Sequence, residues 1–152
     1  MCYRLLTMRP HTRTELAQAL RKREIPDDVA ESVLGKFDAA GLIDDAAFAE
    51  MWVRSRHEHQ GLGRRALAVE LKRRGVDSSV VADAVGAVDD EAEEERAAAL
   101  VRKRLRAMSG VDEQAKIRRL VGMLTRKGYG QGLAYRVVRA ELGAEGLDEL
   151  GE

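Results

Sequence analysis

A chain of 152 residues with 26 basic and 26 acidic side chains has no formal net charge, so total charge favours neither nucleic acid nor a membrane surface as partner. Aromatic residues make up only 4% of it, which predicts a core of aliphatic side chains and suits packed helices. There is no apolar run of the roughly 18 residues that span a membrane, no signal peptide, and no partner for Cys2 in a disulfide or thiolate site, so we expect a cytoplasmic protein.

One apolar pattern occurs three times along the chain. It starts at Leu20, Leu71 and Leu124 (the repeat leucines), in the stretches LRKREIPDDVAESVL, LKRRGVDSSVVADAV and LTRKGYGQGLAYRVV, and the copies are 51 and 53 residues apart. Another leucine stands four residues before each start, and apolar positions recur at four-residue steps afterwards. Because such steps fall on one face of a helix, each copy predicts two amphipathic helices joined by a short turn.

The first repeat is predicted to cover residues 1–46. A leading helix from Tyr3 to Met8 precedes the helix of the repeat leucine, and Pro26 suits the entrance to a third helix whose apolar stripe begins at Val29. Glu24 stands where the other two copies have glycine, so the turn between the second and third helices departs from the pattern here.

The second repeat is predicted to cover residues 47–93, with a leading helix from Phe48 to Arg56. Asp44–Asp45 are interpreted as the cap of that helix rather than as a catalytic acid pair. Gly61–Gly63 superficially match a dinucleotide fingerprint, but they follow a charged helix instead of a strand, so a flexible loop is expected. Gly75 suits the left-handed position that ends the second helix.

The third repeat is predicted to cover residues 94–142, with a leading helix from Ala97 to Met108, and residues 143–152 form an acidic tail. Gly128 takes the place of the turn glycine. Tyr129, at an apolar position of the pattern, is expected to pack through its ring and keep its hydroxyl in water. The expected fold is all-α: an elongated array of three tandem three-helix repeats with helix-turn-helix geometry.

Charge is unevenly distributed along the chain. Residues 54–74 hold seven basic and two acidic side chains, residues 96–139 hold twelve and two, and the block Asp89–Glu95 is acidic. One cation in the last turn of a helix is ordinary, but a basic cluster in all three copies predicts a ridge that binds phosphates through counterion release. The ridge is predicted to comprise Arg21, Lys22, Arg23, Arg64, Arg65, Lys72, Arg73, Arg74, Arg102, Lys103, Arg104, Arg118, Arg119, Arg126 and Lys127.

The stretches RTELAQALRKREIPDDVAESVL, GLIDDAAFAEMWVRSR and GLGRRALAVELKRRGVD, in this order, resemble the RecX family of regulators of the RecA recombinase. The similarity extends to about Leu142, and its most specific part is Gly41–Asp45 followed by Phe48 and Ala49. Each string alone is weak, but their order on three repeats makes the resemblance specific.

The resemblance implies an all-helical protein that binds the RecA–DNA filament along its groove and suppresses ATP hydrolysis and strand exchange, as a negative modulator of recombination and of the damage response. It also implies weaker direct binding to single- and double-stranded DNA. We expect a cytoplasmic monomer with no membrane contact. Reversing Lys72, Arg73 and Arg74 to glutamate is expected to weaken the suppression without unfolding the protein.

The alternative is a stand-alone DNA-binding module, either sequence-nonspecific or a helix-turn-helix transcription regulator. The third helices begin with Asp27–Asp28, Ser78–Ser79 and Gln131–Gly132, which offer few groups for reading bases. A sequence-blind, salt-dependent gel shift would count against the transcription regulator.

The remaining candidate sites favour structural interpretations. Phe48 and Trp52, four residues apart, are interpreted as core anchors rather than as a stacking platform for bases. His57 and His59 are two apart and face different ways on a helix, which does not suit a metal. No phosphate-binding loop or nucleophile motif is present, so we expect no cofactor and no enzymatic activity.

Overall fold

The structure is a computed structural model that describes the backbone of residues 11–150 and the side chains of residues 11–144. In that part of the chain every regular element is an α-helix, which confirms the predicted all-α class. The helices are α1 (Arg13–Lys22), α2 (Asp27–Ala39), α3 (Asp45–Gln60), α4 (Arg64–Arg73), α5 (Ser78–Gly86), α6 (Asp90–Leu105), α7 (Glu113–Arg126) and α8 (Gln131–Leu150).

The leading helices of the second and third repeats are α3 and α6, whereas the predicted helix Tyr3–Met8 lies outside the described residues. The helix predicted from Ala97 begins at Asp90 instead, so most of the acidic block forms its first two turns. Asp89 caps it by accepting the Ala92 N–H at 2.7 Å. Acidic side chains there complement the positive end of the helix dipole, which explains why they are separated in the sequence from the basic residues at the other end of the helix.

Carboxylate and hydroxyl caps start three further helices. The Asp44 carboxylate accepts the Ala47 N–H at 3.0 Å, which confirms its interpretation as a helix cap. Asp112 caps α7 in the same way. Thr12 and Glu15 form a reciprocal capping box at α1, each side chain accepting the other's backbone N–H at 3.1 Å.

The three tight turns are built by one hydrogen-bond pattern. In each, the apolar residue after the turn donates its N–H to the carbonyl of the repeat leucine five residues earlier; the donors are Ile25, Val76 and Tyr129, at 3.2, 3.1 and 3.0 Å. The residue before each donor has a positive φ; these residues are Glu24, Gly75 and Gly128, at 60°, 83° and 96°. A left-handed residue at this position ends the second helix and redirects the chain into the third.

The repeat leucines and the leucines four residues before them are 0–3% exposed, as the pattern predicts. In the third helix of the repeat, the buried position lies one residue later than predicted: Val29 is 48% exposed, and Ala30 is buried. The copies agree: Val81 and Ala134 occupy the same position and are also buried.

By backbone contacts the described chain divides into two compact units, residues 11–54 with 68–85 and residues 55–67 with 86–150. The first unit has a core cluster of Leu16, Leu20, Ala30, Leu34 and Ile43. The larger cluster of the second unit is formed mainly by α6, α7 and α8 and includes Tyr129. The second repeat contributes residues to both units, so units and repeats do not coincide.

Each unit contains one joint, which we define as the contact between the start of a repeat's second helix and the turn of the following repeat. In the first unit the Thr12 and Thr14 hydroxyls donate to the carbonyls of Arg74 and Gly75 at 2.8 and 3.1 Å. Turn carbonyls that the helix leaves unpaired are thereby satisfied.

The joint of the second unit uses backbone donors in place of hydroxyls. The N–H groups of Gly63 and Arg65 donate to the carbonyls of Lys127 and Gly128 at 2.8 and 3.1 Å. The loop predicted at Gly61–Gly63 is present and leads into α4, but it is packed rather than flexible: both glycines are buried, and Gly63 is part of a packed contact. Its glycine is needed because a Cβ there would lie 2.7 Å from the Gly128 carbonyl oxygen.

The joints also explain why the turn residue is glycine in two repeats and glutamate in one. A Cβ on Gly75 would come closer than 3.0 Å to the Thr14 side chain, and one on Gly128 equally close to Ala66. Glu24 has the same left-handed backbone, but its side chain is exposed. At residue 24 only the φ angle favours glycine, and the left-handed conformation of a non-glycine residue costs about 1 kcal/mol of stability.

Tyr129 corrects a further prediction. Its side chain is 1% exposed, and its hydroxyl donates to the Gly61 carbonyl at 2.8 Å instead of remaining in water. A buried phenol needs a hydrogen-bond acceptor, and the glycine loop of the preceding repeat supplies it. Burial raises the pKa of Tyr129 well above its ordinary value.

Tyr129→Phe is expected to lower the free energy of unfolding by about 1–2 kcal/mol at neutral pH, because the Gly61 carbonyl loses its donor. The raised pKa means that the unfolded chain loses this proton first, near pH 10. The tyrosine's contribution is therefore complete below about pH 10 and is lost as pH rises towards the folded-state pKa. Urea unfolding of both proteins at about pH 7 and about pH 11 checks this; a pH-independent difference would contradict it.

Candidate nucleic-acid interface

Five of the six predicted ridge residues of the first unit are exposed. Arg21, Lys22 and Arg23 are exposed at the end of α1, where Arg21 lies 3.8 Å from Asp27. Lys72 and Arg73 are exposed in the last turn of α4. These five side chains are free to meet a partner, since an exposed ion pair at such a distance holds a side chain weakly.

Arg74 does not belong with them. Its guanidinium lies 3.0 Å from the Glu15 carboxylate and 4.1 Å from the centre of the Trp52 ring, and the indole N–H donates to Glu70 at 3.0 Å. Arg74 therefore fastens the first joint. The expectation that the triple charge reversal at Lys72, Arg73 and Arg74 leaves the fold unharmed conflicts with these contacts.

Arg74→Ala is expected to lower the free energy of unfolding by about 1–2 kcal/mol, because a cation–π contact and a partly buried ion pair are lost together. The double variant Lys72→Glu/Arg73→Glu should unfold within about 0.5 kcal/mol of the unmodified protein, as is usual for exposed positions. Urea denaturation followed by circular dichroism compares the two. Equal losses of unfolding free energy in Arg74→Ala and in the double variant would mean that Arg74 does not stabilise the fold.

Three predicted ridge residues of the second unit are engaged within it. Arg64 donates its backbone N–H to the buried Glu93 carboxylate at 2.8 Å, and its guanidinium pairs with Glu93 and Asp90. The pKa of Arg64 is raised, chiefly by the hydrogen bond to Glu93. Lys127 donates to the Gln60 carbonyl at 2.9 Å, and the exposed Arg102 lies 3.0 Å from Glu141.

Four of the remaining residues converge on one depression of about 560 Å³, between the end of α6 and the length of α7. We call this depression the arginine groove; its basic residues are Arg104, Arg118, Arg119 and Arg126. Its floor is apolar, formed by Ala107, Met108, Val111 and Met123. No acidic side chain lines it, and within the described residues none of the four arginines forms an ion pair.

The local sequence places these arginines together. Arg119 and Arg126 are seven residues apart, two turns along one face of α7, and Arg118 lies beside them. Arg104 comes from the last turn of α6, where basic side chains complement the negative end of the helix dipole. Four like charges around one cavity repel each other unless an anion joins them, and the apolar floor strengthens their field. The groove thus suits a polyanion.

A second groove of about 680 Å³ lies on the other side of α7, against α8, and Arg118 and Arg126 line both. It contains the exposed ring of Tyr135, which is not among the site residues predicted from the sequence. The repeat register carries the missed signal: the positions that match Tyr135 hold Glu31 and Ala82, both exposed. An aromatic residue at an exposed position of the pattern is unusual.

Two predicted ridge residues remain, and neither lines the two grooves. Arg65 and Lys103 are exposed and make no ion pair within the described chain. Phe48 is buried and stacks on the partly covered Trp52 with ring centres 5.8 Å apart, in agreement with a core role. Among the described residues no three His, Cys, Asp or Glu side chains form a metal-binding group, and no helix has the length and apolarity to span a membrane.

Comparison with known proteins identifies the family. Profiles described as the first, second and third three-helix domains of RecX match residues 1–37, 44–85 and 91–138. The regulatory protein RecX of Thermobifida fusca (strain YX) is 55% identical over 148 residues, covering 97% of this chain and 80% of the relative. The chain belongs to the RecX family. RecX of Streptomyces coelicolor is also 55% identical, over 97% of this chain and 79% of its own length.

Solved RecX structures support the fold. The crystal structure of RecX from Lactobacillus salivarius superposes with a TM-score of 0.85 at 22% identity, covering 91% of this chain and 90% of that one. A second RecX crystal structure gives 0.83 at 24% identity, over 92% of this chain and 68% of that one. The array of three-helix domains is therefore retained while most side chains differ, which confirms the predicted repeats.

Proposed function

We propose that this RecX-family chain is a non-enzymatic regulator that binds the RecA–DNA filament and suppresses its ATPase and strand-exchange activities, so that it restrains homologous recombination and the damage response. Family membership supports the regulatory role. The arginine groove is the observation that carries the binding mode, because four arginines without an ion pair in the described chain line one cavity, and their summed positive potential attracts a polyanion. We place the protein in the cytoplasm as a monomer.

In this proposal the arginine groove meets DNA phosphates of the filament. Such contacts fix position without reading sequence, which suits a regulator that must act on filaments of any sequence. The exposed lysine and arginine side chains at the ends of α1 and α4 supply further weak contacts. Several weak contacts on one chain add up through effective concentration, so no single repeat has to bind tightly.

Capture on filaments tests the proposal. The protein is incubated with RecA filaments assembled on single-stranded DNA, with free RecA and with bare DNA, and RecA ATP turnover is measured in parallel. We expect the strongest capture by filaments together with reduced turnover. Equal capture by bare DNA and filaments with unchanged turnover would contradict the proposal and favour the stand-alone DNA-binding module.

A helix-turn-helix transcription regulator receives less support from the starts of the third helices. The Asp77 carboxylate at the start of α5 accepts the backbone N–H and the hydroxyl of Ser79 at 3.1 and 2.5 Å, so these polar groups serve the helix start. Acidic residues begin α2. Arginine, asparagine and glutamine are common base-reading residues in the major groove, and of these only Gln131 stands at the start of one of the three helices.

A further inference from the structure

Tyr135 is the one large aromatic ring that is exposed among the described residues, at 40% of its surface. The matching positions in the other two repeats are also exposed and hold glutamate and alanine, so the repeat fold does not require an aromatic ring here. Arg139, one turn further along α8, places its guanidinium 5.9 Å from the ring centre. That contact holds the ring beside positive charge without burying it.

The surroundings of the ring indicate what it receives. Arg118 and Arg126 line both the arginine groove and the groove of Tyr135, so a phosphate held by them has its neighbouring base within reach of the ring. Ile117 and Val121 add an apolar wall, and no acidic side chain lines the groove. A cavity of about 680 Å³ is large enough for a base with its sugar.

We propose that Tyr135 is a stacking platform for an unpaired base, and that the site formed by α7 and α8 therefore takes single-stranded rather than double-stranded nucleic acid. This inference rests on the proposed function, because it names the form of DNA that the same cations bind. Bases of a duplex are stacked inside it and cannot reach the ring, whereas bases of a single strand are free to stack on an aromatic side chain.

Three probes of equal length separate base stacking from charge. They are a single-stranded oligothymidylate, an abasic strand with the same phosphates but no bases, and a duplex. The full chain without RecA is titrated with each, labelled with fluorescein, and binding is followed by anisotropy. We expect at least about fivefold tighter binding of the base-bearing strand than of the abasic strand, the lower bound for one stacked base.

Tyr135→Leu keeps an apolar side chain but removes the aromatic face. It should reduce the preference for the base-bearing strand to about one while leaving the abasic and duplex affinities unchanged. Tyr135→Phe keeps the ring and should retain most of the preference. Since residue 135 is exposed, both variants are expected to fold, and far-UV circular dichroism checks this.

Equal binding of the base-bearing and abasic strands by the unmodified protein, or an unaltered preference in Tyr135→Leu, would overturn the inference. Absence of any strand binding would do the same. The assay contains no RecA, so such a failure would leave filament capture and ATPase suppression standing. A failure of filament capture with an intact base preference would instead refute the proposed function alone.

Discussion

The double variant Arg118→Glu/Arg126→Glu is expected to lose most of its ability to suppress RecA ATP turnover while folding normally. Both side chains are exposed, line the arginine groove and form no ion pair in the described chain, so their reversal removes two phosphate contacts and adds repulsion. On single-stranded DNA, log K should also become less dependent on log salt, with a slope smaller by roughly 1.4 for two lost contacts.

A matched control separates this local effect from a general change of charge. Lys36→Glu/Arg54→Glu alters the net charge equally, at exposed positions of α2 and α3 outside the predicted ridge. It should leave the suppression of RecA ATP turnover within about twofold of the unmodified protein, because single charges on an exposed surface usually contribute little. Suppression is measured as ATP turnover on single-stranded DNA across a series of salt concentrations. Equal loss in both double variants would exclude the groove as the specific contact.

Gly128→Ala is expected to give the largest loss of stability, about 3 kcal/mol or more, because two costs combine at this position. The left-handed φ of 96° penalises any side chain by about 1 kcal/mol. In addition, the new Cβ would press on the backbone and Cβ of Ala66, which can move only if the second joint opens. Gly75→Ala should be somewhat milder, since the Cβ there meets the Thr14 side chain.

Gly110→Ala and Gly41→Ala are the controls for the backbone cost alone. Both glycines have a positive φ, 82° and 74°, and a Cβ on either would meet no atom within 4 Å. Each should lose about 1 kcal/mol. Urea denaturation of the variants gives the comparison. If Gly128→Ala were no worse than Gly110→Ala, the joint would not be the tight contact that the structure shows.

Much of the fold follows from the repeat register. The three repeat leucines define three helix-turn-helix copies because burial at four-residue steps is a local property of a helix, and the turn glycines mark where two of the second helices end. The register also suggests which basic residues are equivalent, but it does not tell whether equivalent side chains have equivalent partners. Arg23, Arg74 and Lys127 share one position of the pattern. Yet Arg23 is exposed, Arg74 stacks on Trp52, and Lys127 donates to a carbonyl.

What the sequence could not provide are the contacts between repeats. The burial of Tyr129, the packing of Gly63 and the glycine requirement at residue 128 all arise from the second joint, whose partners are more than sixty residues apart in the chain. The arginine groove depends likewise on the packing of α6 against α7. Its cations appeared in the predicted ridge, but nothing in their spacing separates Arg118 from the structurally engaged Arg64.

Photo-crosslinking can show whether the arginine groove lies against DNA in the filament. Benzoylphenylalanine replaces Ala107, which lines the groove, or Ala82, which is exposed on α5, and each protein is irradiated on RecA filaments with labelled single-stranded DNA. We expect a crosslink to DNA from position 107 and little from position 82. Crosslinks from position 107 to RecA alone, or to DNA only from position 82, would contradict it.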